Sequence, residues 1–145
     1  MPAASPDIKD CAQFIRNSLD TCDTKHTDCV AYQSRNSSIV PDSQSFIPMR
    51  LLKIGDKTQA DRPRLYEPAS DSASPSAFRL PYAALSHCWG NVPIVNTTKK
   101  VLSGYIENGI EWSHLSKTFQ EAISLARELG IEYIWVDPLC KKDRP

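Results

Sequence analysis

Apolar and polar positions alternate with two periods along this chain. Ile8, Cys11, Ala12, Ile15 and Leu19 recur at three- and four-residue steps, with Phe14 beside them. That spacing predicts a helix from residue 7 to about 21, capped by Asp7 or Ser5. Residues 22–29 are polar and read as a turn, and residues 33–45 are rich in Ser, Asn, Gln and Asp and read as a loop. Residues 46–54 are apolar enough for a strand. Gly55-Asp56-Lys57 has turn chemistry, and residues 64–67 read as a short return strand, so a hairpin with a long loop is expected. Residues 68–77 form a polar linker.

The second half is better signed. Residues 82–87 read as a strand, and Asn96-Thr97-Thr98 can open a short helix through Val101, Leu102 and Ile106. Gly109 to Trp112 reads as extended. Phe119, Ala122, Ile123, Ala126 and Leu129 share a helix face. Thr118 and Glu121 fit a capping box at its start, and Gly130 supplies a left-handed stop. Residues 131–136 are branched and aromatic, as in a buried strand. A strand, helix and strand in one unit should pair parallel with a right-handed crossover. Ser86, Trp89, Gly90 and Asp137 would then share the carboxyl edge of the sheet, where open α/β sheets bind ligands.

Bulk composition narrows the function classes. Seventeen basic and seventeen acidic residues balance among 145. No electrostatic capture of nucleic acid or membrane is expected. No apolar run is long enough to span a bilayer, and the first residues lack the pattern of a secretory signal, so a soluble intracellular protein is expected. Five cysteines, an odd count, argue against a disulfide scaffold. Most of the eleven prolines fall in the first hundred residues, which suggests a loop-rich lead-in over 1–45 before a main body over 46–145.

Each candidate site has a plain structural alternative. Ser86, His87 and Cys88 could present a hydroxyl and a thiol at the sheet edge, or merely let the chain turn. They are no catalytic triad, because neighbouring residues on a strand face opposite ways. Asp137 could bind a ribose hydroxyl, a cation or an amide, or could cap the following turn. Cys140 reads as a small buried hydrophobe with no base beside it. Trp112, Phe119 and Trp135 read as core. Lys117 precedes a helix start and reads as solvated. Cys22, His26 and Cys29 offer three zinc ligands, with Cys11 a fourth if the helix bends back. The spacing is no standard zinc knuckle, and a packed helix end with buried thiols is the favoured reading.

Two blocks carry a family resemblance. The first is Ala84-Leu85-Ser86-His87-Cys88-Trp89-Gly90; the second runs from Leu115 through Lys117-Thr118-Phe119 to Tyr133-Ile134-Trp135-Val136-Asp137 and Cys140. In this order they resemble the opening blocks (here 82–90 and 115–140) of the fungal heterokaryon incompatibility (HET) domain. The resemblance implies a cytoplasmic self/non-self recognition and cell-death module whose partners are other incompatibility or signalling proteins. It also implies a TIR-like, flavodoxin-like parallel sheet, and NAD as a possible ligand, since some TIR domains cleave it. The family carries an aromatic residue where this chain has His87, and a later Trp-x-x-Glu-like block is not found before Pro145. A C-terminally truncated HET domain, without enzymatic activity of its own, is therefore the expectation. An NAD-cleaving hydrolase and a zinc-stabilised interaction module are the alternatives. Strand 131–136 is expected to lack a neighbour on one side and to be prone to association.

Overall fold

Asp7 starts the first helix as the residues predict. Its carboxylate accepts from the Lys9 amide at 3.0 Å, and α1 runs over Ile8–Lys25. The structure, a computed structural model, describes residues 7–31, 48–55, 62–68, 81–88 and 95–141. The predicted loop over 33–45 and nearly all of the linker over 68–77 lie outside these.

The chain divides into two units, Met1–Phe46 and Ile47–Pro145. In the first, α1 continues four residues past the expected end. Residues 22–29 contain no glycine or proline, so their polarity does not stop a helix. Thr24 instead donates its hydroxyl to the Asp20 carbonyl. The helix breaks only at His26 (φ −87°, ψ 100°), and residues 27–31 are helical again. Ala12 is buried, whereas Phe14 and Leu19 of the predicted apolar face are exposed.

The second unit is a mixed α/β body. Strands β1 (Leu51–Lys53), β2 (Arg64–Tyr66), β3 (Ala83–Leu85) and β4 (Tyr133–Val136) form one sheet in the order β2-β1-β4-β3. β1 and β2 are the expected hairpin, with Leu52 opposite Leu65. β3 and β4 are the expected parallel pair, with Ala83 opposite Ile134 and Leu85 opposite Val136. The expectation that β4 lacks a neighbour on one side is overturned. β1 pairs with it antiparallel, Leu52 opposite Ile134, so β4 is interior with its ladder satisfied on both edges.

Between β3 and β4 lie α2 (Leu102–Glu107), a 3₁₀ turn (Trp112–His114) and α3 (Lys117–Glu128). Thr97 and Thr98 do not open α2 as helical residues. The Thr98 carbonyl accepts from the Val101 and Leu102 amides, and the helix proper begins at Leu102. α2 ends against β2. There Gly109 has φ +77°, and a Cβ on it would lie 2.8 Å from Arg62 Cβ and 3.0 Å from the Pro63 carbonyl oxygen. The left-handed backbone and the close approach both require glycine. The next amide, Ile110, donates to that same carbonyl.

The capping box expected at Thr118 and Glu121 is also corrected. The N-cap is Ser116, whose hydroxyl accepts from the Phe119 amide at 3.3 Å, while Glu121 pairs with Lys117. A serine two residues earlier offers the same oxygen in extended geometry, leaving Thr118 inside the helix. The C-terminal reading holds. Gly130 has φ +77°, its amide donates to Arg127 and the Ile131 amide donates to Ala126, the paired bonds of a Schellman stop.

Phe119, Ile123 and Ala126 bury one face of α3 in a core with Leu52, Ile54, Leu65, Ile110, Leu115, Ile134, Val136 and Leu139. Trp135 packs partly buried against this core. Trp112 does not, being 38% exposed with the Arg127 guanidinium 5.6 Å over its ring. Arg127 in turn donates to the Ile54 carbonyl, tying α3 to the end of β1.

Candidate functional site at the sheet edge

The register of β3 and β4 decides where their polar ends fall. Leu85 faces Val136, so Ser86 and Asp137 are the next residues out on the same edge. They line one pocket of about 270 Å³ together with Ala84, Leu85, His87 and Trp135. Trp89 and Gly90, the other two rim candidates, lie outside the described residues. Ser86 and Cys88 are exposed.

Asp137 begins a single helical turn, α4 (Asp137–Cys140), with Pro138 held in the first turn where a missing amide costs nothing. Its Oδ1 is buried without a hydrogen-bond partner among the described residues. Lys141 Nζ instead lies 2.5 Å from Asp137 Oδ1 as an ion pair, although the approach lacks hydrogen-bond geometry. The carboxylate is mostly buried, and this partner holds it at the pocket wall. Lys141 follows four residues on, a spacing that places side chains on one side of a turn. That spacing is visible in the sequence.

His87 points toward α3. Its ring meets Phe119 edge-on at 5.1 Å, and its Nε2 is buried without a hydrogen-bond partner among the described residues. The nitrogen therefore keeps an unused polar site beside the pocket. Ser86 and His87 both line this cavity, but the His87 ring is committed to Phe119.

Below the rim the chain is anchored. Thr97, buried, donates its hydroxyl to the Leu139 carbonyl at 2.8 Å, and its amide donates to Pro138. Arg50, also buried, reaches Glu67 at 2.9 Å and the Lys141 carbonyl at 3.4 Å. Neither residue stood out in the sequence, because long-range partners leave no local periodicity. Cys140 is buried as expected. Its sulfur accepts from the Val136 amide, and burial pushes its thiol up to about 11, against the smaller opposing effect of that amide. It is unsuited to act as a nucleophile.

A match to a known family covers this edge. Residues 82–143 match Heterokaryon incompatibility protein (HET). That segment is similar to the HET family. The HET segment holds β3, α2, α3, β4 and α4, and with them every residue of the pocket. β1 and β2 precede the matched residues, so the HET segment completes its sheet with a hairpin from outside the match. No curated protein and no solved structure matched the chain.

The other candidate cluster lies outside the HET segment. Cys22, His26 and Cys29 come together, with one ligand atom from each and all three within 4.8 Å of one another. The two cysteines are half-buried and His26 is exposed, which differs from the expected packing of buried thiols. A hydrogen bond with Cys29 raises the Cys22 pKa, with partial burial and the charges of Cys29 and Asp23 adding to it. Cys11 is not a fourth member. α1 runs unbroken from Ile8 to Lys25, which puts Cys11 about 16 Å from Cys22 along the axis.

Proposed function

We propose that this chain acts in fungal heterokaryon incompatibility, as a self/non-self recognition and cell-death signalling module. The observation that carries the reading is that the HET match spans the whole pocket-bearing edge. In this reading the partners are other incompatibility or signalling proteins, met in the cytoplasm. The balanced charge of the chain favours such partners over nucleic acid. The pocket then serves as the place where a small polar ligand or a partner side chain meets Ser86 and the fixed Asp137 carboxylate.

The test is inducible expression, in a filamentous fungus, of the gene product that carries this segment. Induction should arrest growth and kill cells, and Asp137→Asn should relieve this at unchanged protein level. Unimpaired growth with the protein present would overturn the reading.

The pocket also supports a second reading, a TIR-like site for a nucleotide such as NAD. An ion-paired aspartate beside the half-buried Trp135 suits a ribose hydroxyl and a stacked base. Held by Lys141, Asp137 would orient the ligand. Nicotinamide release from NAD by the same gene product is the measurement, and none above background would remove this reading.

A further inference from the structure

The geometry around His26 is not explained by packing alone. In a continuous helix Cys22 and Cys29 would stand about 10 Å apart along the axis. The break at His26, followed by a new helical segment over 27–31, brings Cys29 back toward Cys22. The Val30 amide closes the new turn on the His26 carbonyl at 3.0 Å. Two thiols and an imidazole thus converge from both sides of one backbone corner.

We propose that Cys22, His26 and Cys29 form a metal site for zinc. Two thiolates and an imidazole are the donor set that suits this ion, and oxygen-seeking cations such as magnesium or calcium would not choose it. Zinc–sulfur bonds of about 2.3 Å and zinc–nitrogen bonds of about 2.0 Å, in a tetrahedron, set ligand-to-ligand edges of roughly 3.5–3.8 Å. The observed triangle, with all edges within 4.8 Å, needs at most about 1.3 Å of closure. Side-chain rotation of half-buried and exposed residues supplies that much movement. On binding, each thiol releases its proton to solvent, and two sulfurs and one nitrogen replace water on the ion. Two thiolates balance the zinc charge. A water completes the four-coordinate shell. The ion would clip α1 to the segment over 27–31 and stabilise the corner by mass action.

Cobalt replaces zinc in the test because it reports its own coordination. The fully reduced chain is titrated with Co²⁺ and read by absorption. One cobalt per chain should bind, with thiolate-to-cobalt charge transfer and tetrahedral ligand-field bands that zinc then abolishes. Cys22→Ser, Cys29→Ser and His26→Gln should each lose or shift those bands, whereas Cys11→Ser and Cys88→Ser should keep them. His26 is exposed, so His26→Gln tests ligation without disturbing the fold, and far-ultraviolet circular dichroism checks every variant. Absence of the bands at excess cobalt would overturn the site. So would bands unchanged in all three ligand variants, or a Cys22–Cys29 disulfide that forms as fast in excess zinc as without it.

Discussion

Leu52 and Ala83 flank Ile134 from opposite sides, one antiparallel and one parallel to it. Ile134 is therefore the point where the hairpin from outside the HET match and the strand inside it meet, and it is fully surrounded. The pocket edge depends on this junction, because β4 carries Asp137 directly after it.

Truncating Ile134 should accordingly be the most disruptive single change in the sheet. Ile134→Ala is expected to cost about 2–5 kcal/mol, the range for a large side chain removed from a closed core. Urea unfolding followed by tryptophan fluorescence measures it. A loss under about 1 kcal/mol would mean that the two halves of the sheet are not packed through this residue.

Two glycines with the same φ should respond differently. At Gly130 an added Cβ meets nothing within 4 Å, so Gly130→Ala should cost only about 1 kcal/mol for the left-handed backbone. At Gly109 the same change adds a collision with Arg62 and Pro63, and should cost roughly 2–4 kcal/mol. Thermal midpoints of the two variants, compared side by side, show whether the collision is real.

The start of α3 can be assigned by substitution. Ser116→Ala removes the oxygen that accepts from Phe119 and should cost about 1 kcal/mol. Thr118→Ala, at an exposed helical position, should fall within about 0.5 kcal/mol of neutral. The reverse order would restore the capping box at Thr118.

Cys140 should make the fold sensitive to alkali. Its thiol titrates near 9 when unfolded and at about 11 in the fold, chiefly because it is buried. Between these values the unfolded chain has lost a proton that the native chain retains. Stability therefore falls as pH rises, by about 2 kcal/mol from pH 9 to 11, and is fully retained below pH 9. Cys140→Ala should flatten that part of the profile. At pH 8 a maleimide should label exposed Cys88 well before Cys140.

What could be read from residue order alone was local or of short range. The amphipathic face of α3, its Gly130 stop, the Leu51–Tyr66 hairpin and the parallel pairing of β3 with β4 all follow from periodicity, turn chemistry and the short list of ways to connect a strand, a helix and a strand. The tertiary structure decided the rest. It set β1 beside β4, gave Asp137 to Lys141, turned His87 onto Phe119 and folded Cys29 back to Cys22. Caps and periods act through neighbouring residues and so are written in the order of the chain. Which edge a strand fills, or which way a helix resumes after a break, depends on surfaces far apart in sequence, and only their packing selects among the choices.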